Sequence, residues 1–126
     1  MRNGGVKMLR GMIVAVMLFS LGSGASASGM TLLFKDYKAP QDETEKFLYE
    51  MYFDGVTEGV RELNVVMQAE GRQPLFCQPQ KLALTVEQAE DIMMRTAQAM
   101  TNPDTTPIGI LLILGLRETF PCNEKH

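Results

Sequence analysis

The chain has 126 residues, 45% of them hydrophobic and 21% charged, with two Cys, one His and no Trp. That is an ordinary globular composition, which excludes the disordered, collagen-like and disulfide-dense classes. The net charge of −3 conceals an asymmetry: Arg2, Lys7 and Arg10 head the chain without an acid, while beyond residue 27 nine basic residues face 15 acidic ones, a net charge of −6. No basic patch exists to meet a nucleic-acid backbone or an anionic lipid surface, so both are set aside as partners.

Residues 1–27 fall into three zones. Arg2, Lys7 and Arg10 make a positive head, Met12 to Leu21 an apolar run, and Ala25-Ser26-Ala27 a small-residue cleavage site. This order predicts a secretory signal peptide cleaved after Ala27. The apolar run is half the length of the roughly 20 residues that a bilayer requires, so no membrane anchor is expected once the leader is removed. Residues 28–126 are then one domain with one modest core. In an oxidising compartment so small a domain gains from a covalent tie, and Cys77 and Cys122 are predicted to form it. On the chain-entropy account the bond contributes roughly 4 kcal/mol. A redox-active cysteine is disfavoured, since there is no C-x-x-C and no His or Lys close to Cys77 in sequence.

Ser28 to Gln41 is loop-like at its flanks, with Leu32, Leu33, Phe34 and Tyr37 apolar enough to dock. Asp42-Glu43-Thr44-Glu45 then opens a helix, Asp42 as N-cap and Glu45 at the capping-box position. Phe47, Leu48, Met51, Tyr52, Val56, Val60, Leu63 and Met67 recur at spacings of three and four, one apolar stripe on a long amphipathic helix that stops near Gly71. Gly55 and Gly59 lie on the same stripe. Each costs about 1 kcal/mol in helix propensity, so they are expected to admit another backbone, either the third helix of this chain or a second copy in a dimer.

The second helix opens at Thr85, with Gln88 completing a capping box. Val86, Ala89, Ile92, Met93, Thr96, Ala97 and Met100 form its inner face; Glu87, Glu90, Asp91 and Arg95 lie outside. Asn102-Pro103-Asp104 breaks the chain. Thr106 is expected to cap the third helix with Pro107 in its first position. Ile108 to Leu116 is apolar on every side but for two glycines, which suits the centre of a small protein or an oligomer interface. The expected architecture is an all-α bundle of about three main helices. If the second and third are antiparallel, an extended Gln78–Leu84 segment returns Cys77 to the end where Cys122 lies.

The inventory for chemistry is thin. The single histidine is His126, the last residue, so a histidine general base, a Ser-His or Cys-His pair and a histidine-rich metal site are all disfavoured. Glu50, Asp54, Glu58 and Glu62 follow a four-residue step, which reads as a solvated helix face and not a cation site. No phosphate-cradling loop or nucleotide fingerprint occurs. No enzyme, metal or cofactor is expected. The connections Gly71–Pro79 and Thr101–Pro107, stiffened by prolines and rich in hydrogen-bonding groups, are where binding residues would concentrate.

Together, Gly55-x-x-x-Gly59 followed by Asn64, Leu75-Phe76-Cys77-Gln78-Pro79 leading into Leu82-x-Leu84-Thr85, and the closing Phe120-Pro121-Cys122 resemble the Rap/Tai family of immunity proteins of bacterial type VI secretion. The likeness runs from Phe47 to Cys122 and departs in the absence of any Trp from the long helix. It implies a small helical periplasmic protein with its two cysteines bonded. Such proteins bind a cognate toxin, often a peptidoglycan-cleaving amidase, and block its active site, some of them as homodimers. The shared residues read as structural: Cys77 and Cys122 tie, Pro79 and Pro121 turn, Thr85 caps, Gly55 and Gly59 pack. No inhibitory residue carries over.

The expected contact surface is the loop Asn102–Thr105, with Asn102, Asp104 and Thr105, together with Glu87, Glu90 and Asp91 on the polar face of the second helix. The net charge of −6 favours a basic toxin. Two other readings stand beside this one. The first is a small periplasmic chaperone whose exposed apolar stripe takes many unfolded clients; the second is an orphan binding protein on the same fold.

Overall fold

A computed structural model describes residues 31–123. The expected leader and its cleavage site lie outside the described residues, as does His126. Four helices follow one another: α1 (Phe34–Tyr37), α2 (Glu43–Ala69), α3 (Val86–Ala99) and α4 (Ile108–Thr119). The described residues hold no strand, only an isolated antiparallel bridge between Leu33 and Pro107. The three main helices are those expected, and the fold is all-α. No helix among the described residues is long and apolar enough to cross a membrane.

Local chemistry sets the helix ends. Asp42 caps α2 by accepting from the Glu45 amide at 2.8 Å, and the Glu45 carboxylate reaches back to the Gln41 amide. Gly71, at φ +69, stops the helix: its own N–H donates to Gln68 and that of Arg72 to Met67, so two terminal carbonyls are satisfied in a Schellman turn. α3 opens on the expected Thr85–Gln88 capping box. The cap of α4 differs from expectation. Its N-cap is Pro107, and no side chain caps it. Thr106 is engaged through its backbone, while the first amide of α4, Ile108, donates to the Leu32 carbonyl at 3.1 Å. A chain segment from the other end of the domain does the work assigned to Thr106.

α3 and α4 run antiparallel and pack closely, with Gly115 at the closest approach. A Cβ there would come within 2.6 Å of Ile92 Cγ2, within 3.1 Å of the Ile92 carbonyl oxygen, and against the Thr96 hydroxyl. α2 lies across this pair. The core gathers Phe53, Val60, Phe76, Leu84, Ala89, Ile92, Met93, Ala97, Ile108, Leu111, Leu112 and Leu116, with Leu32 and Phe34 from the N-terminal arm. α4 is apolar on every side, as read, but not buried on every side: Ile110 and Leu114 are exposed. Cys77 and Cys122 are bonded, with Cα atoms 4.8 Å apart. The Cys77 amide donates to Phe120 at 2.8 Å, and the Phe76 and Phe120 rings meet at 6.4 Å. The bond thus joins the approach to α3 with the end of α4, as the antiparallel layout required.

The apolar stripe read on α2 does not coincide with its core face. The buried residues of α2 are Phe53, Thr57, Val60 and Asn64. Of the expected stripe, Phe47, Leu48, Met51, Tyr52 and Leu63 are exposed. Gly55 and Gly59 are exposed too, and a Cβ on either would meet nothing within 4 Å. The close intrachain approach expected at this pair is made instead by Gly115 of α4. The cause is geometric: apolar residues occupy more than half the circumference of α2, and spacing alone does not say which arc is covered.

Candidate protein-binding surface

The α3–α4 loop owes its shape to the arm before α2. The Phe34 amide donates to the Thr106 carbonyl at 3.0 Å and the Lys35 amide to the Asp104 carbonyl at 3.1 Å. Phe34 itself is buried, so the arm is anchored by its apolar side while its backbone holds the loop. Lys38 adds a side-chain clasp, its Nζ 2.6 Å from Asp104 Oδ1 and 5.2 Å from the centre of the Phe34 ring. Both ion-pair partners remain about half exposed, which limits the pair to less than about 1 kcal/mol. The backbone bonds, not the charge pair, fix the loop.

The arm also ties α3 to α2. Tyr37 donates to Glu90 Oε1 at 2.6 Å, and its ring lies 5.7 Å from that of Phe53. Burial, and then Glu90 beside it, hold the Tyr37 hydroxyl well above its ordinary pKa of 10.0. Nearby, the bond that Tyr49 donates to Glu45 pushes that hydroxyl up to about 12. These side chains border a shallow groove of about 260 Å³ lined by Lys38, Lys46, Tyr49, Glu50, Glu90 and Met94, among others. Cations and carboxylates share its rim. Among the described residues, no group of three or more His, Cys, Asp or Glu is placed to hold a metal.

The six expected contact residues therefore divide. Asn102 and Thr105 are exposed at the tip of the loop, and Asp104 is half-buried under Lys38. Glu90 joins them at one end of the molecule, because Tyr37 and Lys38 belong to the same short arm. Glu87 and Asp91 stand apart. Glu87 is in the first turn of α3, roughly 20 Å along the axis from the turn that leads into the loop. Its own backbone N–H and the Thr85 hydroxyl hold its carboxyl below the usual carboxylate range. Asp91 borders a separate groove with Leu82, Arg95 and Phe120.

Sequence reasoning missed the arm residues Lys35, Tyr37 and Lys38 as parts of this surface. Nothing local announces them, since Lys38 and Asp104 are 66 positions apart. It also gave no role to Asn64, which the structure places under the other proline-stiffened loop. Asn64 Nδ2 donates to the Phe76 carbonyl at 2.9 Å, and the Phe76 amide donates to Asn64 Oδ1 at 3.2 Å. One buried side chain satisfies both backbone groups of a buried loop residue and sets Cys77 toward its partner.

Comparison with known proteins gives one match. The family model described as Rap1a immunity proteins matches residues 25–122. No curated protein and no solved structure matches the chain.

Proposed function

Because the chain belongs to the Rap1a immunity protein family, we propose that it acts in the periplasm by binding a cognate type VI secretion toxin and occluding its active site, the toxin being a peptidoglycan-cleaving amidase. The family match over residues 25–122 carries this reading. Occlusion asks no chemistry of the inhibitor. It asks for a rigid surface that need not be ordered on binding, because loop ordering subtracts from affinity. A loop held by two backbone bonds from the arm and by Lys38 supports that role. Protection at low concentration calls for a nanomolar complex, about −12 kcal/mol.

The proposed contact surface begins at Asn102 and Thr105, crosses Asp104 and the arm to Glu90, and follows the exposed edge of α3 to Asp91 and Glu87. The net charge of −6 beyond residue 27 favours a basic toxin and an association rate that falls as salt rises. The deciding experiment is recovery of the tagged, disulfide-bonded chain from its native periplasm, with the bound species identified by mass spectrometry. One stoichiometric partner that degrades cell wall, and is silent in the complex, is the expected result. If Asn102→Ala with Thr105→Ala inhibits that partner as well as wild type, the loop is not the contact. The exposed apolar residues of α2 favour the chaperone reading as the alternative. Many substoichiometric clients that increase under acid or heat would establish it instead.

A further inference from the structure

A cleft of about 440 Å³ opens beside the disulfide, lined by Gln73, Pro74, Leu75, Arg117, Pro121 and Cys122. It lies where α4 ends, away from the α3–α4 loop. The two bonded cysteines meet it unequally. Cys122 is one of its walls, with part of its surface open and its Sγ 3.9 Å from the Pro74 carbonyl oxygen, whereas Cys77 does not line it. Among the described residues that line the cleft, Arg117 alone is charged. It is exposed, and none of the ion pairs among the described residues includes it. An unpaired guanidinium therefore sets a positive field beside an accessible disulfide sulfur.

The cysteines are also held unequally. Cys77 follows Phe76, whose amide and carbonyl are both bonded to the buried Asn64, and its own amide donates to the Phe120 carbonyl at 2.8 Å. Cys122 lies past the end of α4, between Pro121 and Asn123, both exposed. If the bond opens, Cys77 stays where the backbone fixes it and Cys122 is the sulfur free to move. We infer that the disulfide is a thiol-exchange site with a fixed direction, at which small anionic thiols enter through the Arg117 cleft and are captured on Cys122.

The step balances as an exchange. The thiol gives its proton to water, and its thiolate attacks Cys122 Sγ in line with the existing S–S bond. A new S–S bond forms at Cys122, the Cys77–Cys122 bond breaks, and its electron pair leaves on Cys77 Sγ, which takes a proton from water. The entering sulfur is oxidised and Cys77 is reduced, so one disulfide replaces another. Cys77, still fixed by its backbone partners, can attack Cys122 in turn and expel the thiol, which makes capture reversible. Arg117 draws the anion in and offsets its charge on arrival, an attraction that salt screens. This is modification and not catalysis, in keeping with the lack of a C-x-x-C pair. Because the cleft is remote from the α3–α4 loop, a captured thiol leaves the proposed toxin surface open.

The test treats the full sequence, purified with its disulfide closed, with about 10 mM 2-mercaptoethanesulfonate, an anionic thiol, or cysteamine, a cationic one. Samples are quenched early with N-ethylmaleimide and both cysteines are mapped by mass spectrometry. The sulfonate is expected on Cys122 and the maleimide on Cys77, about tenfold over the reverse arrangement. Arg117→Gln should slow opening by the sulfonate about threefold at low salt but not opening by cysteamine, and about 0.5 M salt should erase the difference. Where reclosure leaves too little adduct to map, Cys77→Ser and Cys122→Ser, each with one thiol, give the same comparison. Toward an anionic aromatic disulfide, the thiol of Cys122 should react about tenfold faster than that of Cys77. Equal labelling of the two sulfurs, the reverse order in the single-thiol proteins, or an Arg117→Gln protein with an undiminished preference for the anionic thiol overturns the inference. So does a disulfide that opens only as fast as the chain unfolds, read from the urea dependence of the opening rate.

Discussion

Asn64 does with one side chain what a neighbouring strand would do with a backbone, presenting a donor and an acceptor to Phe76. Since Phe76 is buried, water cannot replace either bond. Asn64→Ala is expected to cost about 2–4 kcal/mol, because it leaves an amide and a carbonyl unpaired at about 1–3 kcal/mol each. Asn64→Asp keeps the acceptor but turns a carboxylate oxygen toward the Phe76 carbonyl, and should be at least as destabilising as Ala in urea denaturation at neutral pH. Tyr37 makes a comparable long-range bond but carries a pH signature. Its proton is held more tightly in the folded chain than in the unfolded one. Its contribution is therefore fully present below pH 10.0 and declines as pH rises past that value. Tyr37→Phe should cost about 1 kcal/mol at neutral pH through the lost bond to Glu90, and the gap between variant and wild type should narrow above pH 10. Stability measured by denaturant titration at pH 7 and at pH 10.5 checks both halves.

At the scale of helices, signals that act within a turn or two were legible and signals that depend on packing were not. Asp42, Thr85 with Gln88, and Gly71 were read correctly because a cap is made by residues three or four positions apart. The α2 stripe was not, and Phe53, its most buried apolar residue, fell outside the expected set. The residues that face the core include Thr57 and Asn64, whose polarity hides the true inner face from any count of apolar positions. The glycines give the sharpest test of the corrected picture. Gly115→Ala forces a methyl against Ile92 and Thr96 and is expected to destabilise by about 1–3 kcal/mol. Gly59→Ala meets open space and should instead stabilise by up to about 1 kcal/mol through helix propensity. Thermal melts of the two variants should move in opposite directions. Two melts moving down together would mean that the inner and outer faces of α2 are assigned wrongly.

For the whole molecule, the arm and the disulfide close the structure at opposite ends. The arm seals the α3–α4 loop, and its role was hidden in the sequence because Lys38 and Asp104 approach only once three helices have packed. Asn102, Asp104, Thr105 and Glu90, singled out from the sequence, lie together at this end, while the arm that shapes the loop was not singled out. The disulfide was legible because composition left one pair of cysteines, and the antiparallel α3–α4 layout brings their ends together. Its effect should appear chiefly in the unfolded chain. A bond that spans 45 positions removes about 4 kcal/mol of loop freedom from the unfolded ensemble, while the packed ends of α3 and α4 retain the Cys77–Phe120 backbone bond and the Phe76–Phe120 contact without it. Cys77→Ser with Cys122→Ser is accordingly expected to lose about 2–5 kcal/mol yet keep its helical spectrum at low temperature. Because the opened chain exposes more surface on unfolding, the slope of stability against urea should steepen as the midpoint falls. An unchanged slope with a lower midpoint would place the loss in the folded state. The bond would then be holding α3 against α4 directly, and the loop before α3 should loosen in hydrogen exchange when the cysteines are replaced.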